Sequence, residues 1–254
     1  IWKPSEKTPL TAELIGRALE EAGLPPGVFN IAHGGAHPVE RILSSPGISA
    51  VSFVGSTKIA RIVYEKGAMA HKRVLALGGA KNHIVLLPDA DETICGRGIS
   101  DSFTGCAGQR CMAASVLLAV GPVDKHIQKI KERAASLTLG RDMGAIISAE
   151  QVAFLKTAID RAETEGAVVL LDGRKPPAPK GFEGGHWLGP TVLDHVKPES
   201  SASKVELFGP IISIIRCKTL EEAMDVENAN PYGNACSVFT SNGGHAEYVA
   251  KRAS

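Results

Sequence analysis

The sequence predicts an α/β fold built on a parallel sheet. Segments with the apolar spacing of amphipathic helices alternate along the chain with short apolar strands, which is the order that a parallel sheet requires. Small-residue turns, Gly34-Gly35-Ala36 and Gly55-Ser56-Thr57, follow two of the strands. The chain has 254 residues, of which 44% are hydrophobic, and this is ample for a buried core. We therefore expect one or two α/β domains.

The first part of the chain predicts three helices and three strands. A helix over residues 8–23 follows from the spacing of its leucines, with Thr8 as N-cap and Pro9 in the first turn. The pattern then predicts, in order, a strand at 28–32, a helix to 43, a strand at 50–54, a helix to 68 and a strand at 73–77. A domain boundary is expected near Gly78-Gly79, which gives domains of residues 1–78 and 79–254.

The second part continues the alternation. A Gly/Pro-rich segment at 172–190 predicts a loop or the tip of a hairpin. The other predicted elements are strands at 84–87, 115–120, 167–171, 190–195, 211–217 and 236–240, and helices at 91–104, 124–137, 149–165 and 219–229, with a helical pattern at the end of the chain.

Composition narrows the function. The net charge of +1 gives no support for binding to nucleic acid or to a membrane surface. No apolar run reaches the length of a membrane span. The five cysteines are an odd number and form no CxxC pair, so neither a disulfide framework nor a metal site is expected. Free thiols in a reducing compartment are the prediction.

One stretch, residues 103–113, carries the most chemistry. It is a short glycine-rich connection between a predicted helix and a predicted strand, and it delivers Cys111 with Arg110 directly before it. Gly105 and Gly108 allow the backbone to turn tightly and to approach a ligand closely. At such a boundary, free main-chain N–H groups can stabilise a thiolate or an oxyanion. The stretch indicates a nucleophilic cysteine, and an inert core cysteine is the alternative.

The two small-residue turns, at residues 34–38 and 55–57, indicate an anion site. A strand–glycine–helix turn directs N–H groups and the positive end of a helix dipole toward an anion, often a phosphate. Neither turn has the GxGxxG pattern, and a simple capped helix start is the alternative. Two such turns in succession are compatible with a nucleotide pyrophosphate site.

Five motifs together resemble the aldehyde dehydrogenase superfamily, in that family's order and over the whole chain. They are Trp-Lys-Pro-Ser-Glu at 2–6, Phe-Val-Gly-Ser-Thr at 53–57, Leu-Gly-Gly at 77–79, Gly-Gln-Arg-Cys at 108–111 and Glu-Leu-Phe-Gly-Pro at 206–210. Three further segments, at 79–83, 109–113 and 230–234, resemble the CoA-acylating branch that acts on methylmalonate semialdehyde. The resemblance implies part of a Rossmann-like dinucleotide-binding domain followed by an α/β catalytic domain of the aldehyde dehydrogenase fold.

The resemblance also implies roles for matched positions. Cys111 is the expected nucleophile. Lys81 lies in a family-like segment, but we expect it to be structural. The expected NAD contacts are Lys3 and Glu6 at the adenosine ribose, Gly55 and Ser56 at the pyrophosphate, Glu206 at the nicotinamide ribose and Phe208 near the nicotinamide. The alternatives are an exposed ion pair for Lys3 and Glu6 and a core aromatic for Phe208.

One departure bears on the reaction. Hydrolytic members of the superfamily carry a glutamate two residues before the Gly-Gly pair, as the base that activates water, and this chain has Ala76 there. A thiol acceptor that arrives as thiolate needs no such base. The chain is therefore expected to pass its acyl group to coenzyme A. Arg110 could pair with the carboxylate of a semialdehyde, and a structural ion pair is the alternative.

The resemblance sets further expectations. The chain looks like an internal fragment whose parent is a homo-tetramer acting on a small aldehyde, in the cytoplasm if bacterial or the mitochondrial matrix if eukaryotic. Two other functions stay open, a hydrolysing aldehyde dehydrogenase that gives a free acid and a truncated, inactive domain.

Overall fold

A computed structural model describes residues 1–254, which divide into two compact units, residues 1–79 and residues 80–254. Each unit has its own sheet. No helix in the structure is long and apolar enough to cross a membrane.

The first unit contains three helices and a two-stranded parallel sheet. Its elements are α1 (Pro9–Glu21), α2 (Ala36–Ser44), β1 (Ala50–Val54), α3 (Thr57–Met69) and β2 (Arg73–Leu77). Ala50 pairs with Arg73 and Val54 with Leu77, and this register confirms both predicted strands. The strand predicted at 28–32 is wrong, because only Ile31 pairs, in a single bridge with Trp2.

The second unit is the larger one. Its elements are β3 (Asn82–Leu86), α4 (Glu92–Thr104), a 3₁₀ helix (Gly105–Gly108), β4 (Ala114–Val120), α5 (Asp124–Ala135), α6 (Ala149–Thr164), β5 (Val168–Leu171), β6 (Thr191–Asp194), α7 (Ser201–Lys204), β7 (Ile211–Cys217), α8 (Leu220–Asn228), β8 (Cys236–Phe239) and α9 (Gly243–Arg252). The short helix α7 was not predicted, and β3 begins two residues earlier than the pattern indicated.

The sheet of the second unit has six strands in the order β5-β6-β7-β4-β3-β8. Four of the five neighbouring strand pairs are parallel, namely β3–β4, β3–β8, β4–β7 and β6–β7. The β5–β6 pair is antiparallel, so the segment between these strands is a hairpin connection and the sheet is mixed rather than wholly parallel. An antiparallel edge strand is a common addition to a parallel sheet.

Alternate residues of the central strands pack into two separate apolar clusters. Val85 and Leu118 belong to the cluster that includes residues of α6, α8 and α9. Ile84 and Leu117 belong to the other cluster, which includes residues of α4 and α5. Since successive side chains of a strand point to opposite faces, helices cover both faces of this sheet. The strands are buried on both faces for that reason.

Candidate active site

Cys111 lies in the turn between the 3₁₀ helix and β4. The residues before this turn have an unusual backbone, because Cys106, Ala107 and Gly108 have φ values of 53°, 53° and 68°. Two successive non-glycine residues in the left-handed region are costly and persist where the surrounding structure imposes them. The result is an exposed Cys111 at the start of a buried strand.

Gly108 is the position where this turn admits no side chain. A Cβ atom placed there would lie 2.1 Å from the Gly209 carbonyl oxygen. Gly108, three residues before Cys111, and Gly209, three residues after Glu206, therefore allow the backbones of their two loops to touch. Gln109 fixes the same turn from another direction, since its side chain donates to the Ala145 carbonyl (3.1 Å) and accepts from the Ile147 N–H (2.9 Å).

A small cleft is lined by all four of the predicted site residues of the second unit. Its lining includes Lys81, Asn82, Arg110, Cys111, Glu206 and Phe208. Residues that are far apart in sequence thus share one concave surface, and the exposed thiol is part of it.

Glu206 and Lys81 are held by neighbouring contacts in this cleft. The Glu206 Oε1 accepts a 3.0 Å hydrogen bond from the Ala80 N–H, which leaves Oε2 outside that bond. Lys81 Nζ donates to the Val205 carbonyl at 2.8 Å. Burial lowers the pKa of Lys81 to about 7, against the opposing charge of Glu206. Lys81, which we expected to be structural, is therefore a buried amine in the lining of the cleft.

Phe208 is not a core aromatic. Its side chain is 43% exposed and its φ is +56°, an unusual value for a bulky residue. Gln151 supports this loop by donating from Nε2 to the Leu207 carbonyl at 2.8 Å. The alternative in which Phe208 packs in the core is wrong.

Arg110 is turned toward the end of α4. Its Nη2 donates to the carbonyls of Asp101 (3.2 Å) and Ser102 (3.1 Å). These carbonyls belong to the last turn of the helix, where the Asp101 carbonyl also accepts from the Gly105 N–H. Both bonds use Nη2, and Nη1 and Nε lie outside them.

In the first unit, Lys3 and Glu6, the two residues expected at the adenosine ribose, form an ion pair. Lys3 Nζ lies 3.5 Å from Glu6 Oε2 and donates to the Gly34 carbonyl at 2.8 Å. The pKa of Glu6 is lowered, first by its own backbone N–H and then by Lys3. Lys3 therefore connects the start of the chain to the small-residue turn at 34–38.

Gly55 and Ser56 precede α3. The Gly55 N–H donates to the Leu77 carbonyl at 3.1 Å, so the turn is fixed to the end of β2. Ser56 is the N-cap residue, yet its side chain makes no capping hydrogen bond. The hydroxyl group is thus uncommitted at the N-terminus of a 13-residue helix.

Two site residues were missed by the sequence reading. Asn82 and Asn234 both donate from Nδ2 to the Cys111 carbonyl, each at 2.7 Å. The available signal was the polar run Lys81-Asn82-His83 at the head of an apolar strand, since buried polar groups need partners.

Three of the other four cysteines are less exposed than Cys111. Cys95 and Cys217 are buried and Cys236 is half-buried, whereas Cys106 is exposed like Cys111. Burial raises the pKa of the thiols of Cys95 to about 11 and of Cys217 and Cys236 to about 12. No three His, Cys, Asp or Glu side chains are grouped so that they could hold a metal ion.

Comparison with known proteins defines the class to which this fold and cleft belong. The profile of the aldehyde dehydrogenase family matches residues 1–254. The chain belongs to the aldehyde dehydrogenase family, and its α/β architecture is that of the family's fold.

Among the curated relatives at about 40% identity are malonate- and methylmalonate-semialdehyde dehydrogenases. The human mitochondrial methylmalonate-semialdehyde/malonate-semialdehyde dehydrogenase [acylating] is 40% identical over 98% of this chain and 48% of its own length. Malonate-semialdehyde dehydrogenase 2 of Geobacillus kaustophilus is 40% identical over 96% of this chain and 52% of its own length. The chain thus spans about half the length of these curated relatives.

Solved structures of several aldehyde dehydrogenases superpose on nearly the whole chain. The methylmalonate-semialdehyde dehydrogenase of Oceanimonas doudoroffii superposes with a TM-score of 0.95 at 38% identity, over 99% of this chain and 53% of that one. A Sinorhizobium meliloti protein assigned to the same activity, and solved in complex with NAD, gives a TM-score of 0.94 at 38% identity, over 99% and 52% of the two chains.

Proposed function

We propose that the protein is an NAD-dependent, CoA-acylating dehydrogenase that oxidises a malonate or methylmalonate semialdehyde to an acyl-CoA through a thioester on Cys111. The observation that carries the proposal is the exposed Cys111 in a cleft with Arg110 and Glu206, in a chain that has Ala76 in place of the water-activating glutamate. The names of the relatives support the same substrate class.

The first chemical step belongs to Cys111. Its thiolate adds to the aldehyde carbon, a C–S bond forms, and the carbonyl electron pair moves to oxygen. No main-chain carbonyl accepts a hydrogen bond from the Cys111 N–H, so this donor can stabilise the oxyanion of the thiohemiacetal. NAD supplies the hydride acceptor that turns this adduct into a thioester on Cys111.

The expected NAD residues fit their roles separately in each unit. In the first unit, the Ser56 hydroxyl and the start of α3 offer donors for a pyrophosphate, and Lys3 with Glu6 offers a donor and an acceptor for ribose hydroxyls. In the second unit, Glu206 keeps one carboxylate oxygen outside its bond to Ala80, and Phe208 presents an exposed ring. In this proposal residues 1–78 belong to the dinucleotide-binding domain and residues 79–254 to the catalytic domain.

We infer that coenzyme A is the acyl acceptor because Ala76 stands in place of the water-activating glutamate. Water needs a general base in order to attack a thioester at neutral pH, whereas a thiolate does not. Cys111 then leaves as a thiolate when the acyl group passes to the sulfur of coenzyme A.

The substrate carboxylate is assigned to Arg110. A guanidinium donates charge-assisted hydrogen bonds to a carboxylate, and the N–H groups of Nη1 and Nε lie outside the bonds that hold Nη2 to α4. An arginine next to the nucleophile would orient a carboxylated aldehyde for attack by Cys111. We further propose a homo-tetrameric whole protein, in the cytoplasm of a bacterium or the mitochondrial matrix of a eukaryote.

The test is a product assay. The whole protein that contains this chain is incubated with methylmalonate semialdehyde and NAD, with and without coenzyme A, and NADH absorbance and acyl-CoA mass are recorded. We expect NADH formation that depends on coenzyme A, with acyl-CoA as product, and its loss in Cys111→Ala but not in the control Cys106→Ala. Free acid formed without coenzyme A would assign the hydrolytic reaction instead, and a Cys111→Ala variant with full activity would refute the thioester.

A further inference from the structure

The Cys111 carbonyl receives two side-chain amides from distant parts of the chain. Asn82 Nδ2 and Asn234 Nδ2 each lie 2.7 Å from this oxygen, across 29 and 123 positions of sequence. A carbonyl oxygen has two lone pairs, so both acceptor positions are filled. The peptide that follows the nucleophile is therefore fixed by side chains rather than by a strand or helix partner.

The two amides form a closed network. Asn82 Nδ2 also donates to the Ala113 carbonyl (2.8 Å), and Asn234 Nδ2 donates to Asn82 Oδ1 (3.3 Å). Carbonyl oxygens only accept hydrogen bonds, so the NH₂ end of each amide must face Cys111. Two hydrogens of each amide thus have acceptors, and these coupled bonds favour one conformation of the two side chains.

The sheet explains why these residues meet. Asn82 is the first residue of β3, Ala114 is the first residue of β4, and the two pair in register. Asn234 lies just before β8, which pairs with β3 on its other side. The starts of three adjacent parallel strands therefore share one edge. The β3–β4 register is irregular between Asn82 and His83. At this place the Asn82 side chain donates to the carbonyls of Cys111 and Ala113, in the segment that leads into β4.

We propose that Asn82 and Asn234 are positioning residues that hold the Cys111 peptide and thereby set the orientation and reactivity of the nucleophilic thiol. This inference rests on the proposed function of Cys111. Cys111 lies in a turn, after three left-handed residues, and its side chain is exposed, so packing alone does not fix it. The two donors also offset the partial negative charge of the carbonyl oxygen nearest in the chain to the thiolate.

Asn234 is the better probe of the pair. Asn82 is buried and also supports the start of β4, whereas Asn234 is exposed. Asn234→Leu keeps a similar volume and removes both donors, and Asn234→Gln retains an amide on a longer side chain. Asn230→Asp is the matched control, because it removes an amide donor to the Lys81 carbonyl in the same turn and retains the oxygen that accepts from the Tyr232 N–H.

The experiment measures the rate of iodoacetamide alkylation at mapped cysteines as a function of pH, with Cys106 as an internal reference. In Asn234→Leu we expect alkylation of Cys111 to slow by about fivefold, the equivalent of one hydrogen bond, with Cys106 and the thermal midpoint unchanged. Asn234→Gln should recover part of the rate, and Asn230→Asp should keep it. Asn234→Ala replaces the leucine variant if the latter does not fold.

Two results would overturn the inference. One is an Asn234→Leu protein in which Cys111 reacts at the original rate over the whole pH range. The other is an equal loss at Cys106 or in Asn230→Asp, which would assign the asparagines to the fold alone. Failure of the proposed function would show itself in the unmodified protein, as absent NADH formation, and would leave this comparison intact.

Discussion

Lys81 and Val205 are joined by a 2.8 Å hydrogen bond from a fully buried ammonium to a main-chain carbonyl. The residue before Lys81 donates its N–H to the residue after Val205, since Ala80 bonds Glu206. Ala80 and Lys81, directly before β3, thus hold Val205 and Glu206. Glu206 is the residue proposed to bind the nicotinamide ribose. The Lys81 pKa is lowered to about 7, with burial as the main cause, so this contact is sensitive to pH.

We expect Lys81 to make the protein more stable as pH rises from about 7 toward 10.5. Over this range the unfolded chain, with a lysine pKa near 10.5, binds a proton that the folded chain does not. Unfolding therefore takes up a proton, and rising pH favours the folded state. Relative to Lys81→Met, the free energy of unfolding should increase by roughly 2 kcal/mol between pH 7 and pH 9.

The measurement is urea unfolding followed by Trp187 fluorescence in a Trp2→Phe background, because the two tryptophans lie in different units. Lys125→Met, which changes an exposed lysine, is the control. A difference between Lys81→Met and the parent that stays constant with pH would show that Lys81 is charged throughout.

Among the cysteines, Cys111 should be alkylated first. Burial raises the pKa of Cys95, Cys217 and Cys236, so at neutral pH their thiolate fractions are small. We expect these three to react roughly 100-fold more slowly than Cys111 in the folded protein. Limited alkylation and peptide mapping measure the order, and preferential labelling of Cys95 or Cys236 would exclude Cys111 as the activated thiol.

Local patterns were sufficient for most elements of the fold. β1 and β2 have the bounds that the sequence predicts, because each is a short apolar run between turn residues. The strand predicted at 28–32 fails for a reason that local pattern does not contain, since only Ile31 finds a partner, at Trp2. The antiparallel β5–β6 pair agrees with the hairpin, which was one of the two interpretations of the Gly/Pro-rich segment at 172–190.

The site follows the same division. The motifs indicated Cys111, Arg110, Glu206 and Phe208, and these line one cleft. Asn82 and Asn234 were missed because their role depends on hydrogen bonds to the Cys111 carbonyl, which is far from both in sequence. The head of β3 was placed too late for the same reason, as polar residues begin a buried strand only when tertiary partners satisfy them.

Gly108→Ala should destabilise the second unit strongly. A Cβ there would lie 2.1 Å from the Gly209 oxygen, at a residue with a φ of 68°. Overpacking and a left-handed alanine together should cost roughly 2 to 4 kcal/mol. Thermal unfolding measures this, and Gly144→Ala, whose Cβ would meet no atom within 4 Å, is the control. Equal midpoints for the two variants would contradict the close contact.

Under the proposed function, Ala76→Glu made in the whole protein should redirect the acyl group from coenzyme A toward water. A carboxylate at this position would supply the base that the chain lacks, and general bases contribute roughly 10²-fold or more to such steps. We expect a larger share of free acid in the product, measured by chromatography, with Ala76→Gln as a control of similar size and no basicity. An unchanged ratio of acyl-CoA to acid would show that residue 76 does not select the acceptor.

Arg110→Leu should discriminate between carboxylated and plain aldehydes. A charge-assisted contact between this guanidinium and a substrate carboxylate is worth roughly 2 to 3 kcal/mol, which corresponds to about 30- to 150-fold in kcat/KM. The loss should appear with methylmalonate semialdehyde and be much smaller with propanal. The variant also loses the two hydrogen bonds to the end of α4. Any effect of losing these bonds should lower kcat/KM for both substrates alike.

Two comparisons isolate the carboxylate contact from that structural effect. Arg97→Leu removes an exposed arginine of the same helix, which lies 3.6 Å from Asp101, and should leave the ratio of the two kcat/KM values unchanged. Arg110→Lys keeps the charge without the planar fork, so it should recover only part of the preference. Equal losses on both substrates in Arg110→Leu would assign Arg110 to the support of α4 and the Cys111 turn. The proposed substrate would then be a short aldehyde with no required carboxylate.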